Sequence, residues 1–106
     1  GAMVARRLLD TGLPDAVFAA NDDIALGLCH ELLAAGVRIP DDVAVVGFDD
    51  IPLARWATPS LSSVIQDFDA LGQASLRLSD ELVEGAPAHS ICLKPQLVVR
   101  ASTTKA

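Results

Sequence analysis

Apolar residues along this 106-residue chain follow two spacings, one typical of buried strands and one typical of helices. Val43–Val46 is a run of four apolar residues, three of them β-branched, and predicts a strand buried on both faces of a parallel sheet. Ala16–Ala20 is a second such run, and Leu61–Ile65 is a shorter strand in which apolar residues alternate loosely with serine. Because a helical pattern separates the first two strands, the chain predicts an α/β fold with a right-handed parallel crossover.

Three segments carry apolar residues at helical spacing: Met3–Thr11, Asp23–Ala35 and Phe68 to about Glu84. The remaining segments predict a loop at Leu53–Ser60, short strands at Ser90–Leu93 and Leu97–Ala101, and a frayed tail from Ser102. The third helix has one apolar face, formed by Phe68, Leu71, Leu78 and Leu82. An uncovered patch of that size is rare on soluble monomers, so we expect the chain's own sheet or another copy to cover it.

The helix predicted over Asp23–Ala35 is apolar on two sides. Ala25, Leu28 and Leu32 form one side, and Leu26, Cys29 and Leu33 form the other, with His30 beside it. A helix on the outside of a single sheet needs only one apolar stripe, so the second indicates another part of the fold or another subunit. We interpret His30 as a surface or interface residue. Trp56, in the loop after the central strand, is either a binding-site wall or an interface anchor.

Polar residues follow the two main strands at the point where each strand ends. Asp49 and Asp50 follow the central strand, and Asn21, Asp22 and Asp23 follow the strand at Ala16–Ala20. Ligands bind beyond the carboxyl ends of the strands in open α/β sheets. We therefore predict that Asp49 accepts hydrogen bonds from hydroxyl groups of a polar ligand, although a turn-capping role for both strand-end aspartates fits the spacing equally well. Asn21 or Asp22 can cap the next helix, and the acidic residue that follows suits the positive end of that helix. We prefer this structural role for Asp22 and Asp23, whereas the Asn21 amide can both donate to and accept from a ligand.

Charge and composition exclude several classes of function. The chain has 14 acidic residues against 8 Lys and Arg, a net charge of −6, so these residues are not expected to bind nucleic acid themselves. No apolar run approaches the roughly 20 residues of a membrane span. Cys29 and Cys92 lie in apolar segments and predict two buried, reduced thiols of a cytosolic protein. No pattern of nucleophile and base or of metal ligands is present, so neither catalysis nor a cofactor is expected.

Several motifs in a fixed order carry a family resemblance. They are Ala16-Val-Phe-Ala-Ala-Asn-Asp-Asp-Ile-Ala-Leu-Gly, then Ile39-Pro-Asp-Asp-Val-Ala-Val-Val-Gly-Phe-Asp-Asp-Ile-Pro, then Pro59-Ser-Leu-Ser-Ser-Val, Gln66-Asp-Phe, Leu71-Gly-Gln and Leu93-Lys-Pro-Gln-Leu-Val-Val-Arg-Ala-Ser-Thr. Over essentially its whole length the chain resembles the LacI/GalR family of bacterial transcription repressors. It departs from the family in having Ser62-Ser63 where Thr-Thr is frequent, and Trp56 where Tyr is frequent.

The resemblance implies a piece of a two-lobed, periplasmic-binding-protein-like effector domain with parallel sheets, mainly its C-terminal lobe. Residues 1–66 would belong to that lobe, residues 67–94 to a crossover segment of the N-terminal lobe, and residues 95–106 to the return strand and tail. Operator DNA would be bound only through a helix-turn-helix headpiece that this stretch does not include. Effector binding between the lobes would change the affinity for the operator.

The resemblance also implies site residues. Asn21 and Asp49 match positions that hydrogen-bond a sugar or nucleobase effector, so a sugar or similar polyol or a nucleoside is expected, and Gln66 and Phe68 match positions that line the cleft. Leu26, Cys29, His30 and Leu33, together with the segment from Pro52 to Thr58 that contains Trp56, match the face of a homodimer.

Two other classes of protein are alternatives to a repressor. Sugar-binding proteins of transporters share the two-lobed fold and a similar cleft. Asp22-Asp23, Asp49 and Lys94-Pro95 superficially repeat the acidic pair, phospho-aspartate and Lys-Pro of response-regulator receivers. Too few βα units separate those residues for them to meet in one pocket, so the receiver reading is disfavoured. The Gly47-Phe-Asp-Asp-Ile-Pro motif and the run from Leu97 to Ser102 favour the repressor over the transporter.

Overall fold

The computed structural model describes residues 1–105, which divide into two compact units. The first unit comprises Gly1–Ile65 and the residues from Leu97 onward, and the second comprises Gln66–Gln96. Each unit has its own architecture.

A four-stranded sheet organises the first unit. Its strands are β1 (Ala16–Phe18), β2 (Ala44–Phe48), β3 (Ser62–Ile65) and β4 (Gln96–Val98), in the spatial order β1-β2-β3-β4. β2 pairs in parallel with β1 and with β3, with Val17 opposite Val45 and Val46 opposite Ser62. The helices of this unit are α1 (Ala2–Thr11), α2 (Asp22–Ala34) and α3 (Pro52–Trp56). The predicted α/β fold with parallel strands is therefore confirmed.

The core of the first unit lies between the sheet and its helices. The fully buried apolar residues are Ala5, Ala25, Leu28, Leu32, Val43, Val45, Ala54 and Leu61. Along β2, alternate residues are fully buried and the residues between them are half-buried. The prediction that this strand is buried on both faces is therefore wrong for this chain, because its second face is only partly covered.

The turn before β2 is held by a local ion pair. The backbone amide of Arg38 donates to Asp42 Oδ2 at 2.8 Å, and the Arg38 guanidinium donates to Asp42 Oδ1 at 2.6 Å. The hydrogen bonds from Arg38 lower the pKa of the Asp42 carboxyl to about 2. The turn is thereby closed immediately before the central strand begins.

The end of the chain is more ordered than its polar sequence predicts. Ser102 is fully buried, its hydroxyl donates to Val45 O at 2.6 Å, and it accepts from the Ser62 amide at 2.8 Å. The prediction of a frayed tail from Ser102 is wrong because this hydroxyl ties the segment to both β2 and β3. Buried polar groups keep such partners because losing one leaves an unsatisfied group in the core.

Three further predictions are corrected by the structure. Pro52–Trp56, predicted to belong mostly to a loop, forms α3, in which Pro52 suits the first helical position. Ser90–Leu93, predicted as a strand, has no strand geometry because no neighbouring strand pairs with it. Cys92, predicted to be buried, is exposed, whereas Cys29 is buried as expected.

The second unit contains one long helix, α4 (Phe68–Val83), and an extended return segment. Asp67 caps the helix by accepting from the Ala70 amide at 2.9 Å, and His89 Nε2 of the return segment lies 2.6 Å from Glu81 Oε2. No residue of α4 is buried; Phe68 is 58% exposed and Leu82 is 55% exposed. Its unit contains no sheet on which that apolar face can pack, and Leu78 alone of the four residues is half-buried; coverage of the face by another copy stays a prediction.

Across residues 1–105, every helix is too short or too polar to span a lipid bilayer.

Candidate functional site

The parallel register brings Asn21 and Asp49 to equivalent positions at one edge of the sheet. Phe18 of β1 lies opposite Val46 of β2. Asn21 comes three positions after Phe18, and Asp49 comes three positions after Val46. Both side chains are half-buried. This edge is the carboxyl end of parallel strands, where α/β sheets bind ligands.

The turn after β2 has an unusual backbone. Asp49 has φ 103° and Asp50 has φ 52°, both in the region that side chains other than glycine rarely adopt. Such conformations cost about 1–3 kcal/mol each and persist only where the surroundings fix them. Three successive amides are indeed held: Asp49 N donates to Val64 O at 2.9 Å, Asp50 N to Ser63 Oγ at 3.0 Å, and Ile51 N to Asp22 Oδ2 at 2.8 Å.

Asp22 is the buried anchor of this turn. It is fully buried, and besides the Ile51 amide it accepts a hydrogen bond from Ser63 Oγ at 2.6 Å. Of the two predicted N-cap candidates, Asn21 is the N-cap, accepting from the Ile24 amide at 2.9 Å, and Asp22 is the first helical residue. The preferred capping role of Asp22 is therefore wrong. The sequence held one clue to this role, the glycine at position 47 inside a strand, since a Cβ there would collide with Asp22 Oδ1.

The two strand-end aspartates have different partners. Asp50 Oδ1 accepts from Arg100 Nη1 at 2.6 Å, both side chains are only 12% exposed, and the same nitrogen donates to Leu61 O at 2.7 Å. Within residues 1–105, the Asp49 carboxyl makes no hydrogen bond or ion pair, so its acceptors are available to a ligand. Sequence reasoning missed Arg100, because nothing in its spacing, 50 residues after Asp50, marks the pair.

The oxygen and the nitrogen of the Asn21 side-chain amide differ in their contacts. Its Oδ1 is occupied by the helix cap, and its amide nitrogen makes no hydrogen bond within the described part of the chain. Asn21 therefore leaves a donor free at the same end of the sheet as the free Asp49 acceptor, and the hydroxyl groups of a ligand can bond to both kinds of group.

Trp56 stands at a cleft on the α3 side of this turn. The side chain is 76% exposed, and the cleft has a volume of about 280 Å³. Asp50, Ile51, Pro52, Arg55 and Arg100 line it together with the tryptophan.

The second apolar stripe of α2 opens onto a shallow depression of about 300 Å³. Leu26, Cys29, His30, Leu33 and Ala34 line it on the α2 side, and Ala57, Thr58 and Pro59 line it on the other. Its members differ in exposure: Cys29 is buried, Leu26 is half-buried, and Leu33 and His30 are exposed. Burial raises the pKa of the Cys29 thiol to about 11.

Gln66 and Phe68 belong to the second unit. Gln66 is half-buried and lines a small cavity with Asp67, Leu71, Leu93, Lys94 and Pro95, while Phe68 begins α4 with its ring largely exposed. In neither unit does the described chain bring together three or more metal-binding side chains.

Sequence comparison adds the family. Residues 2–103 match the model of the periplasmic binding protein-like domain. The chain is 44% identical over 93 residues to the HTH-type transcriptional regulator MalR of Streptomyces coelicolor, a match over 86% of this chain and 27% of that protein. It is 38% identical over 93 residues to the lactose operon repressor of Rhizobium radiobacter, covering 87% of this chain and 82% of that protein. This chain belongs to the LacI family of transcriptional regulators.

Solved structures of LacI-family proteins have the same fold. The lac repressor dimer bound to operator and the anti-inducer ONPF superposes with a TM-score of 0.88 at 32% identity, over 98% of this chain and 37% of that one. The complex of the regulator CelR with cellobiose gives 0.85 at 38% identity, over 95% of this chain and 32% of that one. The resemblance seen in the motifs is confirmed, and the chain spans about a third of these structures.

Proposed function

We propose that this chain is the effector-binding and dimerisation part of a LacI-type transcription regulator that couples a sugar or similar polyol to operator affinity. The observation that carries the proposal is the strand-end edge, where the free Asp49 carboxyl and the Asn21 amide nitrogen lie at equivalent register positions. A free donor and a free acceptor at the same end of the sheet suit the hydroxyl groups of a polyol. The cellobiose in the similar CelR structure supports a sugar as the ligand.

The division of the chain supports the assignment of its parts to two lobes. We assign residues 1–66 to the C-terminal lobe, residues 67–94 to a crossover segment of the N-terminal lobe, and residues 95–106 to the return strand and tail. The breaks between the compact units, after Ile65 and after Gln96, fall close to these boundaries. Gln66 and Phe68, just beyond the first break, then contribute to the cleft from the crossover.

The depression on α2 supports a homodimer. Leu26 and Leu33 flank an apolar surface that is only partly covered, and in a two-fold dimer each such surface meets its own copy. Cys29, His30 and Trp56 complete the proposed face. Operator DNA would be bound by a headpiece of the intact protein, since the 8 Lys and Arg of this segment are outnumbered by 14 acidic residues, which repel phosphate. The protein then acts in the cytoplasm by binding, not by catalysis.

The proposal is tested with the full-length protein and the DNA upstream of its own gene. Fluorescence anisotropy should show binding whose affinity changes at least about tenfold when cellobiose or lactose is added, a coupling of about 1.4 kcal/mol, typical of allosteric regulators. Asp49→Asn should bind the DNA as wild type does but lose the response to the sugar. Sugar binding without any DNA binding would instead favour a transporter component.

A further inference from the structure

The carboxyl group of Asp22 is buried beneath the turn that carries Asp49. It is fully buried and accepts hydrogen bonds from the Ile51 amide at 2.8 Å and Ser63 Oγ at 2.6 Å. None of the cationic side chains in residues 1–105 forms a salt bridge with it. Burying a carboxyl group without a cationic partner costs free energy of folding. We therefore expect the buried Asp22 carboxyl to have a compensating role.

Its contacts reach both residues that follow Asp49. Asp22 holds Ile51 directly, and it holds Asp50 through Ser63, whose Oγ accepts from the Asp50 amide at 3.0 Å. Besides the hydrogen bond from the Asp49 amide to Val64 O, the left-handed conformations at Asp49 and Asp50 are therefore supported by one side chain of a different element, the first residue of α2. Strained backbone at a binding site persists only with such support.

The central strand is shaped to admit this carboxyl group. A Cβ at Gly47 would collide with Asp22 Oδ1 and lie 3.2 Å from the Asp22 Cα. Glycine weakens a strand interior, and the close approach of another group is one of the reasons for which strands contain it. Gly47, Ser63 and Asp22 thus form a single packing unit below the turn.

We propose that Asp22 is a positioning residue for effector binding, which fixes the backbone of Asp49–Ile51 and so sets the direction of the Asp49 carboxyl. The proposal rests on the proposed function, because it takes Asp49 as a contact of the polyol. Asp22 does not touch the ligand. Hydrogen bonds weaken steeply when their geometry changes, so releasing the turn reduces affinity without removing any contact atom.

The test is calorimetric titration of the full-length protein with cellobiose and with lactose. Asp22→Asn cannot accept both hydrogen bonds, and we expect it to raise Kd about tenfold. Asp23→Asn is the matched control, because Asp23 is the neighbouring, exposed carboxyl of the same helical turn, and its Kd should stay within about twofold of wild type. In an Asp49→Ala background, Asp22→Asn should add less than about twofold, since it acts through Asp49.

Ser63→Ala provides a second variant that removes the link to Asp50 while leaving the Asp22 carboxyl in place. Hydrogen exchange, measured by mass spectrometry in the absence of sugar, reports on the turn directly. In both Asp22→Asn and Ser63→Ala, exchange should be faster than in wild type in peptides spanning Phe48–Pro52 and unchanged over Ala25–Leu32. Unchanged exchange at the turn overturns the proposal, as does a loss of affinity that is fully additive with Asp49→Ala. Unchanged Kd in Asp49→Ala itself refutes the Asp49 contact as well, whereas unchanged Kd in Asp22→Asn alone refutes only the positioning role.

Discussion

At the carboxyl end of β2, Asp49 and Asp50 share one turn but differ in their contacts. Asp50 is paired with Arg100 at 2.6 Å in a site where both side chains are 12% exposed, whereas Asp49 has free acceptors. The pair is nearly buried, so removing one partner leaves a charge that water cannot reach easily. Asp50 is thus a structural residue, and Asp49 is available for binding.

Replacing Arg100 with leucine should therefore destabilise the protein strongly. Breaking a buried ion pair on one side typically costs about 3–5 kcal/mol, and Arg100→Leu also removes the donor to Leu61 O. Arg100→Lys keeps the charge and should lose less. Chemical denaturation of the full-length protein measures both. Arg77→Leu, at an exposed pair with Glu81, is the control and should change stability by less than about 1 kcal/mol. Equal effects of Arg100→Leu and Arg77→Leu would contradict the structural role of the Asp50 pair.

The two cysteines should differ in reactivity and in their effect on stability at high pH. Burial raises the pKa of Cys29 from 9.0 to about 11, so folding stabilises its protonated form. The stability that this thiol contributes is complete below about pH 9 and is lost as the pH rises through about 11. Thermal unfolding between pH 8 and pH 11 should show a steeper loss in wild type than in Cys29→Ala.

The exposed Cys92 provides the control for the buried thiol. Cys92→Ala should leave the pH dependence of unfolding unchanged, and a thiol reagent at pH 8 should label Cys92 and spare Cys29 in the native protein. Fast labelling of Cys29 under native conditions would show that the packing of α2 around this residue is wrong.

Among the elements, α2 is joined to the carboxyl end of the sheet by its N-cap, Asn21, and its first residue, Asp22. Asn21 caps the helix with its oxygen, and Asp22 is buried below the turn after β2. Substitutions at Asn21 can separate the two roles, because aspartate keeps the capping oxygen and removes the amide donor. Alanine removes both.

Asn21→Asp should therefore keep the stability of wild type within about 0.5 kcal/mol, whereas Asn21→Ala should cost about 1 kcal/mol. Both should bind cellobiose or lactose several-fold more weakly than wild type if the amide nitrogen contacts the effector. Urea denaturation and calorimetry of the full-length protein measure the two quantities. Wild-type affinity in Asn21→Asp would restrict Asn21 to capping.

The sequence predicts well the helices and strands that are marked by a local or periodic pattern of apolar residues. The strand runs around Ala16 and Val43, the helix from Asp23 and the helix from Phe68 are all found within about two residues of their predicted ends. Contacts between residues distant in sequence have no periodic signature, and this explains the errors at Asp22 and Ser102. Ser102 reaches Val45 across 57 positions, and Asp22 reaches Ser63 across 41. The error at Cys92 has a different cause, since burial requires a covering surface that its own unit lacks.

At the scale of the whole molecule, assembly is proposed to depend on the apolar depression of α2. Leu33 lies at its rim, 38% exposed, and would be buried against a second copy. Leu33→Glu should convert a dimer of the full-length protein into monomers, because the dimer would bury an unpaired charge. Sedimentation at micromolar concentration measures the change.

Leu9→Glu is the matched control for Leu33→Glu. Leu9 is a leucine of α1 with nearly the same exposure, 40%, but it lies outside the depression. This variant should remain dimeric. A dimeric Leu33→Glu protein, or monomers in both variants, would contradict the assignment of the dimer face to α2.

The proposed function depends on the contact of the Asp49 carboxyl with a polyol at the carboxyl end of β2. Calorimetric titration of cellobiose and lactose into full-length wild type and Asp49→Asn tests it most directly, with Asp23→Asn as the control. Losing a hydrogen bond to a charged acceptor costs about 1.5–3 kcal/mol, so Kd should rise more than about tenfold in Asp49→Asn. The control should bind as wild type does. An unchanged Kd in Asp49→Asn, with sugar still bound, would place the effector elsewhere and contradict the account.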